Sequence, residues 1–313
     1  MIVYDSLEET PFTPNTYITV GTFDGVHLGH RLIISRLVEK AKEDGARSLL
    51  ITFDPHPQIV LPNPTKPRIK LLTSIKERLH LLKDTGLDGA LVIPFTYEFS
   101  QNNPGDFVRA LVKNIGMKRI ILGEDHNFGK NRGGNYDTLL ELSKELDFGV
   151  ERVDGFMING VRVSSTKIRH ALEEHNLGEA NKMLSYNYFV RGQVVHGRGM
   201  GSEIGYPTAN IKPPDKYKLL PGYGAYLIRS EIEGVDYFGM ANIGIRPTMT
   251  NDTAPTLEVY FFDMDEDTDL YGQTLHIIFL AFLREEKKFS SVDALINQIE
   301  HDERKCRQLI ENL

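Results

Sequence analysis

Two imidazoles three residues apart, His27 and His30, stand in the run Gly21-Thr22-Phe23-Asp24-Gly25-Val26-His27-Leu28-Gly29-His30. It follows a strand-like apolar stretch, Tyr17–Val20, and opens a helical pattern. Glycines at 21, 25 and 29 let a ligand approach the backbone. The first turn of the helix offers N–H groups without intrahelical partners to an anion. A strand, a Gly-rich turn with two imidazoles and a helix start make a place to hold polyphosphate. A tight turn whose histidines merely cap or pack is the simpler alternative, and the paired spacing weighs against it. Far downstream, Ser164-Ser165-Thr166-Lys167-Ile168-Arg169 gathers hydroxyls and two cations at another helix start. Capping alone explains serine and threonine there; their convergence with Lys167 and Arg169 suits a triphosphate.

A second candidate site lies in the C-terminal half. The segment Gly192 to Gly205 is dense in glycine, including Gly197, Gly199 and Gly201, and leads into Tyr206-Pro207-Thr208-Ala209-Asn210-Ile211. Pro207 restricts the turn, while Thr208 and Asn210, two apart on extended chain, project to one side. A hydroxyl plus an amide oxygen suits Mg²⁺, which keeps phosphates and waters among its ligands. The glycine N–H groups can hold the phosphates of ATP. No Gly-Lys-Ser/Thr follows, so this is not a Walker loop. The acids of Asp263–Asp269 lack the glycine and distal glutamate of a calcium loop and read as a solvated loop between strands. Lys287-Lys288 and the charged stretch His301–Arg307 read as solvent-facing surface.

The elements that must carry these residues fall into two rhythms, and 313 residues suggest two domains. Strands are predicted at Tyr17–Val20, Ser48–Phe53, Ala90–Ile93, Arg119–Leu122 and Val150–Val153. Helices are predicted at His30–Glu43, Ser74–Thr85 (with a Ser74/Glu77 capping box), Gly105–Ile115 and Tyr136–Leu146. This βαβα order predicts an α/β domain with a parallel sheet, helices on both faces and ligands at the carboxyl ends of the strands. Gly21–His30, Phe53–Pro57 and Gly123–Gly129 would share that edge. Residues 165–184 read as two short helices around Gly178. Beyond Tyr186, runs at Phe189–Val195, Ala225–Ile232, Tyr237–Ile243, Thr256–Phe262 and Thr274–Leu283 predict a mostly antiparallel β-barrel, and Ser291–Leu313 a closing helix. The domains are placed at 1–184 and 185–313, joined at Leu184–Asn187.

A net charge of −7 argues against nucleic acid and anionic membranes as partners. The single cysteine, Cys306, excludes an intramolecular disulfide. The chain shows no signal-peptide pattern and no apolar run of membrane-spanning length. The expectation is a cytoplasmic protein acting on small molecules, with no obligate protein partner.

Taken together in order, His-x-Gly-His and Ser-Ser-Thr-x-x-Arg resemble the nucleotidyltransferase superfamily. With Thr52-Phe53-Asp54-Pro55-His56-Pro57 and Val163–Arg169, the N-terminal half resembles the FMN adenylyltransferase module of bacterial bifunctional riboflavin kinase/FAD synthetases. The resemblance implies a Rossmann-like fold in which FMN phosphate attacks the α-phosphorus of ATP and expels pyrophosphate. It assigns His27 and His30 to the phosphates and transition state, with Gly21, Phe23, Asp24 and Gly29 in the ATP-binding turn. Ser164, Ser165, Thr166 and Arg169 would hold the outer phosphates. Asp125 and Phe128 match the family's flavin and nucleotide segment, but His126 stands where phenylalanine is usual. That departure leaves an impaired or altered adenylyl site beside an active kinase as the alternative.

The C-terminal half resembles the riboflavin kinase fold through the Gly-rich run and Pro207-Thr208-Ala209-Asn210. The match continues in Asn242–Thr248, Leu257-Glu258-Val259-Tyr260, Leu270-Tyr271-Gly272 and Leu283–Phe289. It implies that Glu258 is the general base for the ribityl 5′-hydroxyl of riboflavin. Thr208 and Asn210 would bind Mg²⁺, with Gly197, Gly199, Gly201, Gly205 and Pro207 around ATP and flavin. Arg284 is a candidate for ligand contact or, equally, for a salt bridge. The product FMN would leave one domain and enter the other to become FAD. A cytidylyl- or pantetheine-phosphate adenylyltransferase would leave Thr208, Asn210 and Glu258 without a task. A flavin-storage protein would need neither the histidine pair nor a base beside a metal site.

Overall fold

A computed structural model of the chain describes residues 1–124, 134–197, 201, 204–245, 255–265 and 268–313. Its contacts divide it into two compact units, Met1–Ser165 and Thr166–Leu313.

The first unit is built on a parallel sheet. Its strands are β1 (Ile2–Tyr4), β2 (Thr16–Val20), β3 (Arg47–Asp54), β4 (Gly89–Pro94), β5 (Met117–Gly123) and β6 (Gly149–Val153), in the order β1-β4-β3-β2-β5-β6. Its helices are α1 (Leu28–Glu43), α2 (Pro57–Val60), α3 (Ile75–Leu82), α4 (Tyr97–Ser100), α5 (Pro104–Ile115) and α6 (Tyr136–Leu146). The five predicted strands and four predicted helices are present. The edge strand β1 and the short α2 and α4 are additional, being too short to carry a period. The predicted helix through Thr85 ends as α3 at Leu82 and tightens into a 3₁₀ turn over Lys83–Thr85, closed by left-handed Gly86.

Alternation along the strands builds two cores. Ile18, Val20, Leu49, Ile51, Ile120 and Leu122 pack with α5 and α6 on one face. Tyr17, Leu50 and Ile121 pack with α1 and Leu82 on the other. Both faces are therefore covered, as near-continuous apolar parallel strands require. A two-residue hairpin, β7 (Met157–Ile158) with β8 (Val161–Arg162), follows the sheet.

Two helices, α7 (Ser165–Glu173) and α8 (Leu177–Leu184), come next. The break between them is not at Gly178, which lies inside α8. The Asn176 side chain accepts from Glu179 N and starts α8 there, and an Asn cap sets the boundary more strongly than a nearby glycine.

The second unit contains β9 (Phe189–Val195), β10 (Ala209–Lys212), β11 (Gly224–Ile232), β12 (Val235–Ile245), β13 (Pro255–Phe261) and β14 (Thr274–Glu285). They close a barrel in the order β10-β13-β12-β11-β14-β9, with every pairing antiparallel. Strand β10, a four-residue strand that begins two residues after Pro207, was not among the predicted strands. One face of the strands fills the barrel with Tyr226, Ile228, Ile243, Val259, Ile277 and Phe279, all fully buried. The opposite face of β11 and β12 receives the closing helix α9 (Val292–Ile310), whose Ile299, Cys306 and Leu309 pack against Leu227, Met240 and Leu283. The stretch His301–Arg307 is therefore not uniformly solvent-facing. Asp302 and Cys306, one turn apart, are buried. Arg284 Nε donates to Asp302 Oδ2 at 2.7 Å, and Lys305 Nζ to Leu283 O at 2.9 Å, so polar bonds add to the apolar packing that seats the helix.

Candidate active sites

In the first unit β2 lies between β3 and β5, so the turn after β2 occupies the middle of the sheet's carboxyl edge. The turn is strained: Phe23 has φ 47°, and buried, β-branched Val26 has φ 39°, in the left-handed region. The surroundings hold it there. Asp24 is 1% exposed, and its carboxylate accepts from Leu72 N at 3.0 Å, Thr73 N at 2.9 Å and Thr73 Oγ1 at 3.1 Å. Thr73 Oγ1 in turn accepts from Gly25 N at 3.0 Å. From the other side, Thr52 Oγ1 donates to Thr22 O and accepts from the fully buried Arg78, which also reaches Phe53 O. Ser165 Oγ donates to Asp24 O at 2.9 Å and ties the start of α7 to the same turn.

His27 is the N-cap of α1, its Nδ1 accepting from His30 N at 3.3 Å. A neutral His27 with Nδ1 as acceptor carries its proton on Nε2. The two rings stack at 3.6 Å with a 15° interplanar angle, and Phe23 meets His30 edge-on at 5.2 Å. Gly21 and Gly29 are needed for closeness. A Cβ at 21 would lie 3.1 Å from the Phe23 ring, and one at 29 would lie 3.2 Å from His27 Cε1. At the end of β5, Glu124 pairs with Arg152 at 3.3 Å and Arg162 at 3.2 Å.

The structure thus brings Gly21, Phe23, Asp24, His27, Gly29, His30 and Ser165 together. Ser164 immediately precedes α7, and Thr166 and Arg169 lie within it. Asp125, His126 and Phe128 lie outside the described residues. Asp24 differs from the expectation of a phosphate neighbour, because its carboxylate is turned inward to backbone N–H groups. Sequence reasoning missed Thr73 and Arg78. A cation after a capping box reads as surface, and only its burial under Thr52 separates it from one.

In the barrel, Asn210 on β10 is the cross-strand partner of Glu258 on β13, which is in turn the partner of Asn242 on β12. Directly opposed residues share a sheet face, so the three polar side chains form a row on the barrel's exterior. The Gly-rich run closes onto it. A Cβ at Gly197 would overlap Asn210 Nδ2, and one at Gly201 would overlap Tyr206 O and lie 3.1 Å from Thr208 Oγ1. Gly205 has φ 82°, and Tyr206 N donates to Gly201 O at 2.8 Å. Gly199 lies outside the described residues. Beside Thr208 opens a cavity of about 260 Å³, lined among others by Pro207, Val194, Tyr260, Met264 and Tyr271. Asp263 and Asp265 line it too, so the acidic loop is part of a cavity wall as well as solvated. Arg284, by contrast, is engaged with Asp302 on α9.

The FAD synthetase family model matches residues 9–167, and the riboflavin kinase family model matches residues 184–310. A bifunctional riboflavin kinase/FMN adenylyltransferase from Listeria monocytogenes is 36% identical over 301 residues, covering 96% of this chain and 94% of that protein. The chain belongs to the bifunctional riboflavin kinase/FMN adenylyltransferase family. The Escherichia coli K12 member of this riboflavin kinase/FMN adenylyltransferase family is 34% identical, with 93% and 91% of the two chains covered. A solved structure from Streptococcus pneumoniae, named a macrolide-efflux protein, superposes with a TM-score of 0.85 at 30% identity over 98% of both chains. Among the described residues no helix is long and apolar enough to cross a membrane. The two family models leave residues 168–183 unmatched, and the contacts group α7 from Thr166 onward and α8 with the barrel.

Proposed function

We propose that this chain phosphorylates riboflavin to FMN in the barrel and adenylylates FMN to FAD in the parallel-sheet domain, using ATP in both. Adenylyl transfer is assigned to residues 1–184 and the kinase to 185–313. The observation that carries the kinase assignment is the register of Glu258 against Asn210, two residues from Thr208. It sets a carboxylate beside two hard oxygen donors.

In the kinase step the riboflavin 5′-oxygen bonds to the γ-phosphorus, the bond to the β,γ-bridging oxygen breaks, and ADP leaves. Glu258 orients the hydroxyl and takes its proton, a role worth about 10² to 10⁴ in rate. The Thr208 hydroxyl and the Asn210 amide oxygen fit a magnesium ion, which takes oxygen ligands and keeps phosphates among them. Bound with ATP, that ion would neutralise charge on the transferring phosphoryl group. The cavity beside Thr208 would take the nucleoside. Arg284 serves by holding α9 to β14.

In the adenylyl step an FMN phosphate oxygen bonds to the α-phosphorus of ATP and pyrophosphate leaves. The protein supplies positioning and charge stabilisation. His27 Nε2–H and His30 donate toward the phosphates, while the α1 N-terminus adds its partial positive charge. Ser164, Ser165, Thr166 and Arg169 hold the outer phosphates, Asp125 and Phe128 the flavin side. Asp24 acts from below, holding the turn. The single cysteine and the small-molecule substrates agree with a cytoplasmic setting.

The test is chromatography of flavins after incubating the protein with riboflavin, ATP and Mg²⁺. FMN followed by FAD is expected, and FMN alone would indicate that His126 has cost the adenylyl site its activity. Glu258→Gln should stop FMN formation yet leave FAD formation from supplied FMN, and His30→Ala should do the reverse. Loss of both steps from either change in a folded protein would overturn the division of labour.

A further inference from the structure

Two side chains at the far end of the polar row, Asn242 and Glu286, have no task in the phosphoryl transfer described above. Asn242 flanks Glu258 on β12 as Asn210 flanks it on β10. With neighbouring strands about 4.8 Å apart, the row Asn210-Glu258-Asn242 spans roughly 10 Å. Each end abuts a glycine whose missing side chain leaves room for a polar group. At one end Gly197 admits the Asn210 amide. At the other, a Cβ at Gly244 would overlap Glu286 Oε1 and lie 3.5 Å from Asn242 Nδ2. A carboxylate and an amide therefore converge on one point past the base, on the side away from Thr208. Asn242 and Glu286 are solvent-exposed, while Asn210 and Glu258 are partly buried, so the row is open where it leaves the reaction centre.

Resting on the kinase reading above, we propose that Asn242 and Glu286 bind the secondary hydroxyls of the ribityl chain and make the barrel selective for a polyol-bearing flavin. A hydroxyl both donates and accepts. The carboxylate offers acceptors only and the amide offers both, so together they can satisfy a run of hydroxyl groups. The terminal hydroxyl is then left over Glu258, with its phosphoryl donor toward Thr208. Binding along the chain fixes the reactive oxygen in line, which turns recognition of remote hydroxyls into rate.

The experiment compares phosphorylation of riboflavin with that of an isoalloxazine bearing a plain hydroxypentyl chain, which keeps the terminal hydroxyl and lacks the others. Wild type and the full-length variants Glu286→Gln and Asn242→Ala are assayed, with an unshifted thermal transition of the barrel as the folding control. Wild type should prefer riboflavin in kcat/KM by about a hundredfold. Each variant should lose about tenfold or more of that preference, the scale of one hydrogen bond to substrate. The loss should fall on riboflavin, with the hydroxypentyl flavin unchanged within twofold. An equal fall for both flavins, or an undiminished preference, overturns the proposal and leaves the kinase reading standing. No phosphorylation of riboflavin by wild type would instead overturn the kinase reading itself.

Discussion

Replacing Asp24 separates a residue that holds the phosphate turn from one that touches phosphate. In Asp24→Ala, two buried backbone N–H groups, of Leu72 and Thr73, lose a charged acceptor, and the Thr73 hydroxyl keeps only its bond from Gly25 N. An unsatisfied buried donor costs about 1–3 kcal/mol, so two cost about 2–6. Relief of the carboxylate's own desolvation offsets part of that, leaving about 3 kcal/mol. For a unit of this size each kcal/mol moves melting by about 2–4 °C, so the first transition should fall by about 6–12 °C. Asp24→Asn should be nearly as damaging, because one amide hydrogen must face Leu72 N–H. The assays are calorimetry on the full chain, FAD formation from supplied FMN, and FMN formation from riboflavin as the internal reference. Expected are a lowered transition, impaired adenylylation and a kinase rate within twofold of wild type. Unchanged melting with lost adenylylation would refute the positioning argument and restore a direct contact with the nucleotide.

Gly29→Ala gains about 1 kcal/mol of helix propensity but sets a methyl 3.2 Å from His27 Cε1. Stability should hold while FAD formation falls about tenfold, and undiminished FAD formation would show that the ring stack need not be so close. Burial, with Asp302 and Glu303 nearby, pushes the Cys306 thiol up from near 9 to about 12. The protonated thiol is therefore favoured in the fold, and its stabilisation is complete below pH 9 and lost as pH rises toward 12. Labelling by a thiol reagent at pH 8 should require denaturant, and stoichiometric labelling of native protein would contradict the burial. Hydrogen bonds from Arg307 hold the Asp263 carboxyl below its usual range. That contribution is present above the ordinary carboxylate value and lost as pH falls through the folded one. Because the pair is exposed, Asp263→Asn should cost less than about 1 kcal/mol near neutrality, and the difference from wild type should vanish in acid. A difference that persists in acid would place its origin elsewhere.

Local chemistry determined much of this protein. Apolar runs with helical spacing between them specify a parallel α/β domain, and period-two runs punctuated by glycine and proline specify the barrel. The histidine turn and the Thr208–Asn210 pair are likewise legible, because their meaning depends on residues within a few positions. Tertiary structure alone decided the strand order that centres β2, and the register that sets Asn210, Glu258 and Asn242 in one row. It also decided which charges are inside. Arg78 and Asp302 read as surface residues until Thr52 and Arg284 meet them, and Asp24 reads as a ligand neighbour until Leu72 and Thr73 claim its carboxylate. The physical reason is one of range. Backbone periodicity and capping are satisfied by near neighbours, whereas a buried charge is tolerated only through partners the chain brings from far away.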